Sequence, residues 1–286
     1  MNTIEVLDNL RAEVRAWKRA GLTVGFVPTM GDLHAGHLSL VELAQQRCDK
    51  VVVSIFVNPM QFGPDEDFDR YPRSFQADSE KLASAAVDVL YVPSISDMYP
   101  NGLAQSVVSV PIVLTGLLEG ASRPGHFDGV TTVVCKLFNM VQPDLAVFGQ
   151  KDYQQLRVIQ AMVKDLNIPV EIVAAPIARD VDGLALSSRN QYLSKEARAI
   201  APKLAVVLQD IALAIESGNR QFGALTTVAV QRLLDEGFDS VDYIQVCDAK
   251  TLQVADISCS SWVILAVARL ENTRLLDNRE VVRLEG

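Results

Sequence analysis

The chain has 286 residues, enough for two domains or one large one, and its 49% apolar and 21% charged residues are those of a globular protein that builds its core without staples. A formal net charge of −9 and a pI of about 4.9 favour solubility and argue against broad affinity for nucleic acid or anionic membranes. A polyphosphate ligand would therefore require the positive groups to be gathered locally. Cys48, Cys135, Cys247 and Cys259 form no Cys-x-x-Cys pair and lie in or beside apolar runs, which fits reduced thiols rather than a disulfide scaffold or a zinc site. Met1 to Lys18 lacks the apolar block of a signal peptide, and no run approaches the length of a membrane span, so a cytoplasmic chain is expected.

Short apolar runs then alternate with amphipathic stretches. Thr23 to Val27 reads as a buried strand, followed by Pro28-Thr29-Met30-Gly31-Asp32-Leu33-His34-Ala35-Gly36-His37, which opens a helix running to about Arg47. His34 and His37, three apart on a first helical turn, share a face. With the N–H groups and positive dipole end of the helix start they offer donors to a polyphosphate, and Gly36 lets a flat base or ribose approach the backbone. A metal site here would need a further ligand, and His126, the only other histidine, is not nearby.

Val51 to Val57 reads as the next strand and ends at Asn58-Pro59-Met60-Gln61-Phe62-Gly63. Asn58 and Gln61, uncharged donors and acceptors at a strand's carboxyl end, suit a hydroxyl or carboxylate on a small substrate; taken alone the segment is a turn capped by Asn58. The acidic stretch of Asp65, Glu66, Asp67, Asp69 and Asp78 reads as a mostly solvated loop, with Asp78 facing a metal-bound nucleotide. Val87 to Val92 is a third strand. Ser122 to Gly129 is turn-rich and is either a plain connector or, through Arg123 and His126, part of a ligand pocket.

Val130, Val134, Leu137 and Val141 recur at helical spacing and stop before Pro143. The strand at Leu145 to Phe148 leads into Gly149-Gln150-Lys151-Asp152-Tyr153-Gln154-Gln155. Gly149 permits close backbone approach, Lys151 supplies a compact cation for phosphate, and Asp152 either holds magnesium or caps the helix that follows. That helix carries Leu156, Ile159, Val163 and Leu166, ends before Asn167, and is followed by a strand at Val170 to Ala174. Strand–helix alternation of this kind specifies a doubly wound parallel sheet with helices on both faces, whose ligands bind outside the carboxyl ends of the strands.

After Arg179 the character changes. Asp180 to Asn190 is polar, with a turn at Asp182-Gly183. Its Ser187, Ser188 and Arg189 suit the grip of a leaving pyrophosphate, or else form a serine-rich linker. A helix with Leu204, Leu208, Ile211 and Ile215 on one face precedes Gly218, a second spans about Ala224 to Glu236, and strands follow at Val241 to Val246, Trp262 to Ala268 and Thr273 to Leu276. The expected organisation is a 1–180 α/β domain and a 181–286 α+β domain. Together His34, His37, Lys151 and Arg189 supply the local positive field that an acidic protein needs to hold ATP.

Pro28 to Val41, Asn58 to Phe62, Tyr71-Pro72-Arg73, Ser122 to Val130, Lys136 to Gln155, Gly183 to Asn190 and Ala268 to Asn278 closely resemble the pantoate–β-alanine ligase family, within the nucleotidylyltransferase superfamily. The resemblance covers essentially the whole chain. It implies a Rossmann-like N-terminal domain with a smaller C-terminal domain that closes over the site, commonly as a homodimer. It also implies ligation of pantoate and β-alanine through pantoyl adenylate, with ATP and Mg2+. Met30, Gly31, Asp32, Leu33, His34, Ala35, Gly36 and His37 would then contact ATP, as would Gly149, Gln150, Lys151, Asp152, Ala178, Leu186, Ser187, Ser188 and Arg189. His37 is the usual acid, and His34, Lys151 and Arg189 share the charge stabilisation. Gln61 and Gln155 fall on pantoate positions, with Gln61 bordering the β-alanine site and Asn58 and Arg123 beside it. Asp78 and Asp152 are the metal candidates. Two residues depart from the family pattern: Asp32 adds a negative charge near the phosphates, and Glu271 stands where the late motif often carries glycine.

Overall fold

The structure, a computed structural model, describes residues 1–64, 66–103 and 105–282; Asp65 of the acidic stretch lies outside the described residues. The chain divides into two units, the first comprising Met1–Gln150 and Gln155–Pro176, the second Lys151–Gln154 and the chain from Ile177.

The first unit is built on six parallel strands: β1 (Asn2–Ile4), β2 (Val24–Thr29), β3 (Lys50–Ile55), β4 (Val89–Tyr91), β5 (Leu145–Gly149) and β6 (Glu171–Ala175). Their order is β1-β4-β3-β2-β5-β6. Alternate residues point to opposite faces of a strand, and here both faces are apolar. Phe26, Val52, Val89, Tyr91 and Phe148 join one cluster, with Leu10 and Val14 of the Leu7–Arg19 helix, Val134 and Leu137 of the His126–Val141 helix, and Ile159 and Met162 of the Tyr153–Asp165 helix. Val27, Val51, Val53, Leu90 and Val147 join the other, with Val41 and Ala44 of the Ala35–Arg47 helix and Leu82 of the Phe75–Ser84 helix. This is the expected Rossmann-like, doubly wound sheet. After β2 the chain lays β3 on one side and later β5 on the other, so the order reverses between β2 and β5. The crevice at that switch point lies beyond the strands' carboxyl ends, where β2 runs into Met30–His37 and β5 into Gln150.

Several elements of the first unit depart from the sequence reading: the helices Leu7–Arg19 and Phe75–Ser84 were not expected, and the second carries Asp78 of the acidic stretch read as mostly loop. β1 was not expected: it has three residues and exists because it pairs with β4, Asn2 opposite Val89 and Ile4 opposite Tyr91. The helix expected from Val130 starts at His126, because Gly125 takes a left-handed φ of +80° and turns the chain directly into it.

The second unit is an antiparallel sheet in the order β7-β8-β9, formed by Ser240–Asp248, Ser261–Leu270 and Thr273–Val282. The Lys203–Glu216 helix buries Leu204, Leu208, Ile211 and Ile215 in one cluster with Trp262, Ile264, Ala266 and Ala268 of β8 and Leu233 of the Phe222–Asp235 helix. A short helix at Lys195–Ile200 was not anticipated. Cys48, Cys135, Cys247 and Cys259 are free thiols. Among the described residues no helix is long and apolar enough to cross a membrane.

Candidate active site

Where β2 ends, the backbone has to reverse into the Ala35–Arg47 helix within a few residues, and it does so through two left-handed positions, Gly31 (φ +86°) and Asp32 (φ +51°). A side chain at Gly31 would also press on Asp78 and Ile55, since its Cβ would stand 3.2 Å from each. Asp78 holds this turn. Its Oδ2 accepts from the Asp32 N–H and its Oδ1 from the Leu33 N–H, each at 2.8 Å, and Ser74 donates to it at 3.1 Å. The carboxyl group is 1% exposed, and Lys81, whose Nζ donates to the Leu33 carbonyl at 2.6 Å, stands 3.9 Å away. Both oxygens that were expected to face a metal-bound nucleotide are thus committed to main-chain donors.

His34 is the N-cap of the helix and His37 its third residue. The Gly36 N–H donates to His34 Nδ1 at 3.1 Å and the His34 N–H to His37 Nδ1 at 3.2 Å, with the two rings 4.1 Å apart. A backbone N–H can only donate, so both Nδ1 atoms are unprotonated and each neutral ring carries its proton on Nε2. This corrects one expectation: main-chain donors of the helix start, anticipated as free for phosphate, are partly consumed by the histidines themselves. The proton that remains on each ring is the one on Nε2.

Beyond β3, Asn58-Pro59-Met60-Gln61 forms a single 3-10 turn packed on the start of the His126–Val141 helix. The packing is close enough that only glycine fits at position 129, where a Cβ would sit 2.6 Å from the Met60 carbonyl carbon. Gln61 is 9% exposed; its Nε2 lies 2.9 Å from Met30 Sδ, which joins the second predicted cluster to the first. Asn58, expected to touch substrate, is turned inward: it is 1% exposed and bonds to Met60, Gln61, Tyr99 and Gly129. A side chain so enclosed positions the turn.

Arg123 forks onto Glu66 with two bonds of 2.6 Å and donates to His126 Nε2 at 3.1 Å. Since arginine only donates, His126 is protonated on Nδ1, which donates to the Gln61 carbonyl at 2.8 Å. Burial, then the Arg123 charge, hold His126 down at about 4. Burial pushes Glu66 up, but the bonds and charge of Arg123 outweigh it and the net displacement is downward. Arg123 and His126, left open as connector or pocket, therefore brace Gln61. At the end of β5 the Gln150 N–H donates to the Ala175 carbonyl, and a Cβ on Gly149 would meet no protein atom within 4 Å. Glycine at 149 is thus required neither by packing nor by a left-handed φ, which leaves room for a ligand against the backbone. Gln155 is half-buried on the following helix.

In the second unit, Lys151 pairs with Asp152 at 3.1 Å and its carbonyl accepts from Asn278 Nδ2 at 2.9 Å. Tyr153 donates to Ala249 and Glu280, tying the Lys151–Gln154 segment to the small sheet. Arg179 forks onto the buried Asp277 at 2.7 and 2.8 Å, bracing the Asp180–Gly183 turn through the Gly183 carbonyl. The Ala178 carbonyl accepts from the Leu186 N–H at 2.9 Å. Ser187 caps the short Ser188–Tyr192 helix by accepting from the Arg189 N–H. Among the described residues no group of three or more His, Cys, Asp or Glu side chains is placed to hold a metal ion.

The family model for pantoate-beta-alanine ligase matches residues 2–280. A pantothenate synthetase of Hydrogenovibrio crunogenus is 58% identical over 278 residues, covering 97% of this chain and 98% of that protein. One of Ectopseudomonas mendocina is 54% identical over the full length of both. Among solved structures, pantothenate synthetase from Thermus thermophilus matches with a TM-score of 0.90 at 44% identity, over 99% of this chain and 100% of that one. The pantoate-beta-alanine ligase of Francisella tularensis, solved with beta-gamma ATP and β-alanine, matches with a TM-score of 0.83 at 34% identity, over 98% and 97%.

Proposed function

The chain belongs to the pantoate-beta-alanine ligase family, enzymes that form a C–N bond, and from that premise we propose that it joins pantoate to β-alanine through an adenylate. A pantoate carboxylate oxygen attacks the α-phosphorus of ATP; the bond to the β-phosphate breaks and pyrophosphate leaves. The β-alanine amine then attacks the activated carbonyl, loses a proton, and expels AMP as the amide forms. Neither step needs a covalent bond to the protein, so the residues contribute position and charge.

The observation that carries this reading is the fixed tautomer of His34 and His37. Two adjacent Nε2–H donors, locked by the backbone and placed at the switch-point crevice, suit the oxygens of a phosphate that gains charge as the leaving group departs. Met30 to Leu33, Ala35, Gly36, Gly149 and Gln150 line the same strand ends and are read as ATP contacts. Gln61 and Gln155 are read as the pantoate contacts, with Asn58 and Arg123 holding Gln61. Lys151 and Arg189 are read as phosphate cations; with Asp152, Ala178, Leu186, Ser187 and Ser188 they take their roles from the family resemblance. The described residues do not form a cage for a resident metal, so Mg2+ is read as arriving with ATP, as part of the substrate. A cytoplasmic homodimer completes the reading.

Purified enzyme supplied with ATP, magnesium, pantoate and β-alanine, each omitted in turn, tests the ligation by mass spectrometry. Pantothenate and AMP should require all of them, and 18O placed in the pantoate carboxylate should appear in AMP. Release of ADP and phosphate, or AMP without label, overturns the adenylate.

A further inference from the structure

Beneath Gln61 lies a layer of bonding that the proposed reaction leaves unused. The Asn58 amide fills all of its hydrogen-bonding positions: Oδ1 accepts from the Met60 N–H at 3.2 Å and the Tyr99 hydroxyl at 2.6 Å, while Nδ2 donates to the Gly129 carbonyl at 3.1 Å and to Gln61 Oε1 at 3.2 Å. The Met60 N–H can only donate and the Gly129 carbonyl can only accept, so a single orientation of Asn58 satisfies both. With Nδ2 fixed in that place, Gln61 has to turn its oxygen inward and its nitrogen outward. The outward Nε2 lies against Met30 Sδ, a weak acceptor that a substrate oxygen can displace. Tyr99 is itself 3% exposed and packed at an angle against Phe56, with its ring centroid 6.1 Å away, so its hydroxyl oxygen is held in one place.

We infer that Tyr99 is a positioning residue: its hydroxyl holds Asn58 in the orientation that Met60 and Gly129 set, and Asn58 in turn fixes Gln61 as a hydrogen-bond donor, which selects an acid substrate that presents an oxygen acceptor at that point. The inference rests on the reading that Gln61 meets pantoate. A donor on the substrate would face the Gln61 NH2 with no means of turning it, because reversing that amide breaks the bond to Asn58 as well.

Steady-state kinetics on the full chain test this, with pantoate and ATP varied separately and thermal melts as the folding control. Tyr99→Phe deletes one hydroxyl and keeps the ring. Asn58→Asp is the second variant: it puts an oxygen where Nδ2 stood and forces the Gln61 amide to reverse. Gln61→Ala is the reference. Tyr99→Phe is expected to raise the pantoate KM by about tenfold and Asn58→Asp by about a hundredfold, each with the ATP KM within about twofold of the parent, and neither is expected to add to the effect of Gln61→Ala. If Gln61→Ala itself leaves the pantoate KM unchanged, the reading of Gln61 fails and takes the inference with it. If Gln61→Ala raises that KM while a folded Tyr99→Phe does not, or if the two effects add, the role of Tyr99 alone is overturned.

Discussion

Replacing Asp78 by asparagine separates two uses of one carboxylate. The isosteric change keeps one acceptor oxygen and turns the other into an NH2 group facing a main-chain N–H. One charge-assisted bond of 2.8 Å is lost, the second becomes a neutral one, and either Asp32 or Leu33 is left with a donor pointing at a donor. A hydrogen bond to a charged group contributes about 1.5–3 kcal/mol and an unsatisfied buried donor costs about 1–3 kcal/mol, so the gross loss is about 2.5–6 kcal/mol. Removing a charge that is 1% exposed and has its nearest cation 3.9 Å away returns part of this, leaving a net destabilisation of about 3 kcal/mol. The damage should be local: the Met30–His37 turn loses its anchor, His34 and His37 lose their register, and turnover falls by about a hundredfold. Urea unfolding gives the stability, and hydrogen exchange of the peptide spanning the turn shows whether the loosening begins there. An Asp78→Asn enzyme that unfolds within about 1 kcal/mol of the parent but demands more magnesium would refute this reasoning and return Asp78 to the metal.

Three further outcomes follow from the same structure. Gly129→Ala places a Cβ 2.6 Å from the Met60 carbonyl carbon and 2.7 Å from the Gln61 nitrogen, both backbone atoms that cannot swing aside. It should cost about 2–3 kcal/mol in denaturant melts and raise the pantoate KM, whereas an unchanged melt would mean that the helix does not approach the turn so closely. His126 titrates near 4 in the folded protein against an ordinary 6.5, so the unfolded chain binds the extra proton in that window. Stability is therefore complete above about pH 6.5 and is lost as pH falls, by about 3 kcal/mol at pH 4; His126→Gln should flatten that part of the profile, and an equally steep one would refute the assignment. In the second unit, Arg179→Ala strands the carboxylate of Asp277, which is 4% exposed, and should cost about 3–5 kcal/mol. Arg179→Lys should recover only part of this because a single ammonium cannot replace the two-pronged fork, and full recovery in thermal melts would count against the bidentate pair.

Much of the architecture is a local property of this sequence. Val51, Val52 and Val53 are apolar in succession because both faces of β3 are covered, and that run, bounded by Asn58 and Pro59, marks a buried parallel strand without further information. The periodicity of Leu204 to Ile215 likewise specifies one buried helical face, whereas the helix carrying Val130 to Val141 is buried on most of its sides. The clusters at Met30–His37, Asn58–Gln61 and Gly149–Lys151 were legible because each follows a strand, and a doubly wound sheet places its ligands there. Other features were not legible, since they depend on partners far away in the chain. β1 is a strand only because β4, distant in sequence, lies beside it, and Asp78 becomes a turn anchor only because its helix meets the turn after β2, with Asp32 46 positions away in the chain. Which nitrogen of His34 and His37 carries a proton, and which end of Gln61 faces outward, follow from main-chain donors and acceptors with fixed roles, relayed to Gln61 by Asn58, at 3.1 to 3.2 Å. Hydrophobic pattern is written residue by residue and fixes which segments are strands and helices. Hydrogen-bond polarity is a relation between residues, and it is settled only once the tertiary structure has chosen which of them meet.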